Sequence, residues 1–176
     1  MKVLIAIDNS HCSHEAVKSV LKRPWFKDTE FRVIHVVEPI VSQYSMVAPQ
    51  AIGLMVNAEK VLREEGVRFT AETAEKIRTC VGVEKVSSRV IDGFVADAII
   101  DHARWWQADL IVVGSHGRTG MERLLLGSVA EKIANHANCS VDVIKMNADT
   151  SPETEATSVT CETIEPAIEK QKTLVS

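Results

Sequence analysis

The residues best suited to chemistry form one glycine-rich stretch, residues 114–129, which reads GSHGRTGMERLLLGSV. Three of its glycines, Gly114, Gly117 and Gly120, recur at intervals of three. Glycine permits positive φ angles and lets a bulky anion come close to backbone amide nitrogens. The stretch therefore predicts a loop that binds phosphate through its backbone. The same spacing is also compatible with glycines that only shape a loop.

A helix is predicted at the end of this stretch, opened by Gly127 and Ser128. The first N–H groups of a helix lack intrahelical partners, and the helix dipole favours negative charge there. Ser128 with Glu131 three residues later also fits a capping box. Both interpretations can hold, because a capping hydroxyl uses one N–H group and leaves the others for an anion.

Other sequence features narrow the chemistry of the stretch. It contains neither the Gly-Lys-Ser/Thr of a Walker A loop nor the GxGxxG spacing of a dinucleotide site. Arg118 could offer a cation to a phosphate, or be a solvated loop arginine. His116 is conceivable as a base, but a histidine flanked by serine and glycine is more typical of a loop donor. Along the chain no metal site is predicted, including at the neighbouring histidines His11 and His14.

The glycine-rich stretch must be positioned by the strands and helices that the rest of the sequence predicts. Branched apolar runs predict buried strands at residues 2–7, 31–37, 83–91, 109–113 and 141–144. Helical spacing predicts helices between them, at residues 11–22, 47–81, 96–103 and 126–137. The second of these is either one long helix or two, with Gly66 as the weak point. The third strand is the least apolar, which favours a place near a sheet edge.

Strands buried on both faces that alternate with helices imply a parallel sheet with right-handed crossovers. We therefore expect an α/β fold, a Rossmann-like three-layer sandwich with a five-stranded parallel sheet and helices on both faces. Ligands in such folds bind at the carboxyl ends of strands, where the winding direction reverses. Asp8 follows the first strand and is a candidate there, although Asp-Asn-Ser after a strand is often only a turn or cap.

The amino-acid composition limits which classes of function can be expected. The 176 residues are 45% hydrophobic and 25% charged, which is typical of one soluble domain. A net charge of −4 leaves no long basic face, so nucleic acid is not an expected partner. The apolar runs are too short for a membrane-spanning helix or a secretory signal, so no membrane association and a cytoplasmic location are expected.

The last residues of the chain differ in composition from the rest. Residues 147–176 are rich in Ser and Thr and carry six acidic and two basic residues, which equals the net charge of −4 of the whole chain. We expect a globular domain at residues 1–146, followed by an acidic tail without stable structure. We expect this tail to increase solubility; the alternative is a regulatory or partner-docking role.

The glycine stretch resembles the ATP-binding universal stress proteins of the UspA type. Those proteins carry a glycine, two residues, a glycine, nine residues, and then glycine with serine or threonine. Gly114, Gly117, Gly127 and Ser128 match this pattern without a gap. The resemblance extends over about residues 1–146.

Two further features carry the resemblance, an aspartate that ends strand one, here Asp8, and a histidine–valine pair that ends strand two, here His35-Val36. It implies the strand order 3-2-1-4-5 and an ATP site, with Mg²⁺ as companion ion. Asp8 would lie beside the ribose or adenine, and the Val36 backbone would bind the adenine edge. The implied cofactor-binding residues are Ala6, Asp8, Val36, Gly114, Ser115, His116, Gly117, Arg118, Gly127, Ser128 and Val129.

The expected function is ATP binding by a nucleotide-dependent stress-response or regulatory module. Hydrolysis needs a group that orients water and usually a held metal, and no residue is clearly placed for either, so conversion is expected to be slow or absent. The alternatives are a slow ATPase or autophosphorylating enzyme, and a nucleotide-free dimeric scaffold or chaperone-like protein. The resemblance also implies a homodimer through strand five. Many relatives have a proline before that strand where this chain has Cys139-Ser140, which affects the dimer geometry.

Overall fold

The structure is a computed structural model that describes residues 1–39, 49–117 and 126–145. The predictions for Gly120 and Arg118, and for the acidic segment at residues 147–176 with its boundary at 146, lie outside these residues.

Five strands form one parallel sheet in the order β3-β2-β1-β4-β5, as the sequence and the resemblance predicted. The strands are β1 (Lys2–Ala6), β2 (Glu30–Val37), β3 (Val86–Asp92), β4 (Leu110–Gly114) and β5 (Ser140–Ile144). The central strands are covered on both faces, which explains their continuous apolar runs. β3 lies at one edge, in agreement with its less apolar sequence.

In the part of the chain that the structure describes, four helices cover the sheet. They are α1 (His11–Lys22), α2 (Pro49–Ile77), α3 (Val95–Trp106) and α4 (Ser128–His136). Alternate residues of β1 point to opposite faces, so Val3 and Ile5 pack with α1 and α2 while Leu4 packs with α3 and α4. The molecule is the predicted three-layer sandwich.

The long second helix is continuous through Gly66, so the first of the two predicted alternatives is correct. Gly66 is buried, and a Cβ atom there would lie 2.6 Å from Cδ2 of the buried His35. The glycine therefore makes room for the imidazole. α2 ends in a π-helical turn, Arg78–Gly82.

The winding direction reverses between β1 and β4, which are neighbours in the middle of the sheet. Their carboxyl ends coincide, since Ala6 is in register with Val113. Crevices at such a reversal are where open α/β sheets bind ligands. Within the described ranges, no helix combines the length and apolar character that crossing a bilayer requires.

Candidate functional site

Three chain segments meet where β1 and β4 end. They are the turn after β1 that begins with Asp8, the loop after β4 from Ser115 to Gly117, and the first turn of α4 behind Gly127. The structure thus brings together the two motifs that lie more than a hundred residues apart in the sequence.

Asp8 makes a turn and also faces the glycine loop. Its Oδ1 accepts the Ser10 amide at 3.1 Å, and Asn9 between them has a φ of 61°. A Cβ atom on Gly117 would lie 2.8 Å from the Oδ2 of Asp8. The interpretation of Asp-Asn-Ser as a turn is therefore correct, and the same carboxylate lies directly against the predicted phosphate loop.

Ser10 joins the two loops, a role that its sequence position did not reveal. It is the N-cap of α1, where its Oγ accepts the Ser13 amide at 3.2 Å. The same Oγ donates to the His116 carbonyl at 3.3 Å. A serine after Asp-Asn looks like an ordinary cap, and only the adjacency of β1 and β4 shows the second bond.

The glycines of the loop are required for close approach and not for positive φ. Among the described glycines only Gly82 and Gly93 have positive φ, so the predicted conformational reason is wrong for the described members of the motif. A Cβ on Gly114 would lie 2.7 Å from the Cys12 backbone carbon and 2.9 Å from the Ser13 nitrogen. Gly114 lets the first turn of α1 rest on the end of β4.

Ser115 uses its backbone within the fold. Its amide donates to the Ile144 carbonyl at 2.7 Å, and its carbonyl accepts the Gly127 amide at 2.8 Å. Its buried hydroxyl lies 3.7 Å from Sγ of Cys12. Neither the Ser115 nor the Gly127 amide is therefore available to a phosphate in this arrangement, and both shape the site.

The first turn of α4 supplies amide donors. Gly127, with φ −71° and ψ 153°, is the N-cap, and no side chain caps the helix. Ser128 is thus the first helical residue, and the capping box predicted for it is wrong. The first helical bond runs from the Glu131 amide to the Gly127 carbonyl, so the amides of Ser128, Val129 and Ala130 precede the hydrogen-bonded ladder.

Val36 presents a backbone edge beside the same crevice. The ladder between β1 and β2 ends with the Ile7 amide on the Ile34 carbonyl at 2.9 Å. The Val37 carbonyl bonds to Gly93 on the β3 side, and successive residues alternate in direction. The backbone groups of Val36 therefore point towards β1, just beyond the point where β1 has ended.

The two histidines of interest have structural contacts. His116 places Nδ1 3.1 Å from the Ser115 hydroxyl. His35 is buried, its Nδ1 donates to the Ile7 carbonyl at 2.8 Å, and its ring packs edge-on against Phe69. His35 thus holds the end of β1 against β2.

A cavity of about 210 Å³ adjoins Asp8 and His35 on the α2 side of the crevice. Glu65, Arg68 and Glu72 of α2 line it, and sequence reasoning did not assign them to the site. In the sequence they look like the ordinary charged residues of a solvent-facing helix surface. No local sequence pattern distinguishes them as part of a site. Among the described residues, no three His, Cys, Asp or Glu side chains are grouped as a metal site.

The profile of the universal stress protein family matches residues 1–145, which is most of the chain. The chain belongs to the universal stress protein family. Among curated relatives, Universal stress protein MJ0531 of Methanocaldococcus jannaschii is 37% identical over 144 residues, which cover 82% of this chain and 81% of the relative.

Solved structures share the fold of this family member. Hypothetical protein MJ0577 superposes with a TM-score of 0.72 at 24% identity, over 84% of this chain and 96% of that one. A universal stress protein family protein of Arabidopsis thaliana, At3g01520, has a TM-score of 0.57 at 22% identity, over 88% of this chain and 97% of its own, and its structure has AMP bound.

Proposed function

We propose that this universal stress protein binds ATP at the crevice between β1 and β4 and acts as a nucleotide-dependent regulatory module in stress responses. The observation that carries the proposal is the first turn of α4. Its N-cap is a glycine without a capping side chain, and it lies against the loop whose Gly117 contacts Asp8. The AMP-bound relative supports an adenine nucleotide as the ligand class.

The phosphates would lie at the amides of Ser128 and Val129. These amides precede the hydrogen-bonded ladder of the helix, and both residues are exposed, so none of the described residues blocks an anion from reaching them. The dipole of α4 adds attraction for negative charge, typically about 0.3–1 kcal/mol for one charge near a surface helix end. Gly127 fits this role, because a side chain there would meet the Ser115 carbonyl at 3.1 Å and occupy the approach.

The nucleoside would lie towards β2. Asp8 can accept hydrogen bonds from ribose hydroxyls, and the Val36 backbone can pair with the adenine edge in the manner of an added strand. Ala6, at the end of β1, would form the floor between them.

The nucleotide would bring Mg²⁺ with its phosphates, because this ion keeps much of its water and is bound through phosphates and one or two carboxylates. Asp8, which faces the glycine loop, is the carboxylate that we assign to this role. We expect slow or absent turnover, because Nδ1 of His116 lies 3.1 Å from the Ser115 hydroxyl and no described residue is clearly placed to orient water.

A homodimer through β5 is part of the proposal. β5 is the other edge of the sheet, and its side chains at Val141, Val143 and Ile144 are only partly buried. An edge strand with apolar residues favours pairing with a second copy. We place the protein in the cytoplasm.

Analysis of the purified full-length chain tests the proposal. The protein is denatured and filtered, and the filtrate is separated by chromatography, with melting temperature measured in parallel with and without Mg-ATP. We expect near-stoichiometric adenine nucleotide, or a rise in melting temperature on adding Mg-ATP. If no nucleotide is found and the melting temperature does not change, the nucleotide-free scaffold is favoured. If labelled phosphate from ATP appears on the protein or in solution, the enzyme is favoured.

A matched pair of variants tests the placement. Gly127→Val should abolish retention of the nucleotide, whereas Gly53→Ala, where nothing lies within 4 Å of the added Cβ, should leave it unchanged. If Gly127→Val folds and still retains nucleotide, the phosphates do not lie at α4.

A further inference from the structure

A second group of chemically active side chains lies away from the crevice, near the amino ends of the strands. It comprises Arg32 of β2, Arg89 of β3, and His102, Trp105 and Trp106 of α3, and we call it the Arg–Trp surface. None of these residues belongs to the nucleotide site proposed above.

Arg32 is the centre of this surface. Its guanidinium carbon lies 4.4 Å from the ring centroid of Trp106 and 5.8 Å from that of Trp105. Its Nε donates to the Ser87 hydroxyl at 3.2 Å, and its Nη1 donates to Nε2 of His102 at 3.4 Å. The guanidinium therefore contacts four neighbours, none of which carries a negative charge.

The Trp105 ring is 68% exposed, although it packs against the His102 ring at 5.5 Å. An indole is large and apolar, so leaving it in water forgoes about 1.5–3 kcal/mol or more of burial free energy. An exposed indole beside Arg32 leaves apolar surface that a partner could cover.

The charge of the surface is unbalanced. No ion pair within the described part of the chain includes Arg32 or Arg89. The nearby acids form their ion pairs with other residues, Glu30 with Lys85 at 3.4 Å and Asp101 with Arg104 at 3.5 Å. Glu30 also acts on Arg32, but less than burial and Arg89 do.

The two arginines also act on one another. Burial lowers the pKa of Arg32, the charge of Arg89 lowers it further, and the carboxylate of Glu30 opposes both with a smaller effect. Burial likewise lowers the pKa of His102, followed by both arginines, so this imidazole accepts from Arg32 in its neutral form. An anion placed between the arginines would relieve this repulsion.

The chain itself contains an acidic segment whose chemistry complements the Arg–Trp surface. Residues 147–176 hold six acidic and two basic residues, while residues 1–146 are balanced at 18 of each. In this segment Glu162, Glu165 and Glu169 are interleaved with Ile164 and Ile168. Carboxylates next to aliphatic side chains complement arginines next to an exposed indole.

The acidic segment is also long enough to reach the Arg–Trp surface. It follows β5 at one edge of the sheet, and the arginines lie on β2 and β3 at the other. The four strand spacings from β5 to β3 amount to roughly 19 Å, and the path from the carboxyl end of β5 to the amino ends of the strands adds about 17 Å. The 31 residues from 146 to 176 could span up to about 100 Å when extended.

We propose that the acidic segment 147–176 docks on the Arg–Trp surface of its own chain, with its carboxylates at Arg32 and Arg89 and its isoleucines on Trp105. Tethering gives the segment a local concentration of about millimolar at this surface, so weak contacts suffice. Docking would give Arg32 and Arg89 the ion-pair partners that they lack among the described residues, and it would exclude other polyanions from this surface.

Acrylamide quenching of tryptophan fluorescence in the full chain tests this docking. In a variant with Glu162, Glu165 and Glu169 all changed to Gln, we expect the quenching constant of Trp105 to rise about two-fold, because an undocked indole is open to the quencher. The rise should vanish in a Trp105→Phe background, which assigns it to this ring. In the unmodified chain, 0.5 M NaCl should give the same rise, since salt at that level screens exposed charges.

Matched variants separate docking from a general charge effect. Glu64→Gln, Glu84→Gln and Glu131→Gln together remove three exposed acids from described helices and loops and should leave quenching unchanged. Arg89→Gln should raise quenching in the unmodified chain and add nothing when the three tail glutamates are already neutralised.

Three results would overturn the proposal. One is equal quenching of the tail variant and the unmodified chain, and another is an equal rise in the control variant. The third is protection of Trp105 that depends on protein concentration, which would assign the occupant to a second copy.

Discussion

Replacement of Gly114 by alanine tests which role this glycine has in the motif. The new Cβ would lie 2.7 Å from the Cys12 backbone carbon, 2.8 Å from Cys12 Cβ and 2.9 Å from the Ser13 nitrogen. Ordinary contacts between carbon atoms are about 3.5–4.0 Å, so α1 would have to move from β4 by about 0.8 Å. Backbone atoms account for two of the three contacts, so no side-chain rotation can relieve them.

The expected cost follows from this geometry. Overpacking of a well-packed core costs typically about 1–3 kcal/mol, and the upper half of that range applies because a helix must shift. For a chain of this size, 2–3 kcal/mol corresponds to a fall in melting temperature of about 4–12 °C. Gly53→Ala is the control, because nothing lies within 4 Å of its Cβ and alanine favours a helix by up to about 1 kcal/mol.

Urea unfolding of the nucleotide-free full chain measures the effect. We expect the Gly114→Ala midpoint to fall without a change in slope, and the Gly53→Ala midpoint to stay level or rise. If Gly114→Ala loses less than about 0.5 kcal/mol, as for a neutral surface substitution, α1 does not rest on this position. Gly114 would then serve the ligand alone.

The remaining predictions concern other contacts around the sheet. Ser10→Ala should lower the free energy of unfolding by about 0.5–2 kcal/mol, because α1 loses its N-cap. Ser10→Asn should restore much of that stability, since asparagine also caps helices, but not the bond to the His116 carbonyl. Nucleotide affinity should therefore stay reduced in Ser10→Asn. Gly66→Ala should lower the melting temperature, since its Cβ would lie 2.6 Å from Cδ2 of His35; an unchanged value would contradict the packing described. Because the folded-state pKa of His102 is lowered by burial and by the neighbouring arginines, the unfolded chain binds the proton more readily, and stability should fall as pH drops below the ordinary histidine value of about 6.5. His102→Gln should make urea midpoints between pH 7.5 and 5.5 less dependent on pH, and an unaltered slope would argue against this residue as the cause.

The fold was predictable because its signals are local and repeated. Each buried strand is a run of apolar residues bounded by turn residues, and each helix shows apolar positions at steps of three and four. The strand order came from the resemblance, since periodicity alone cannot say which strands are neighbours.

Parts of the site were predictable from the sequence for a different reason. Asp8 and Gly117 stand out because they closely follow strands, at the sheet edge where open α/β folds bind ligands. Gly127 stands out because it comes directly before a predicted helix. Of the two interpretations of Ser128, the start of a helix at Gly127 and Ser128 is correct and the capping box is wrong, since Gly127 is the cap. A Ser-x-x-Glu pattern looks the same whether the serine is the cap or the residue after it.

The amino-acid sequence by itself determined the alternation of strands and helices and the presence of a small-residue loop after the fourth strand, because burial periodicity and glycine spacing are properties of neighbouring residues. Only the tertiary structure decided which amides remain available, since the bonds from Ser115 to Ile144 and from Gly127 to Ser115 join separate segments. It also decided that Ser10 reaches His116 and that Arg32 lies between two tryptophans. Such contacts depend on which strands become neighbours in the sheet, and no local pattern encodes them.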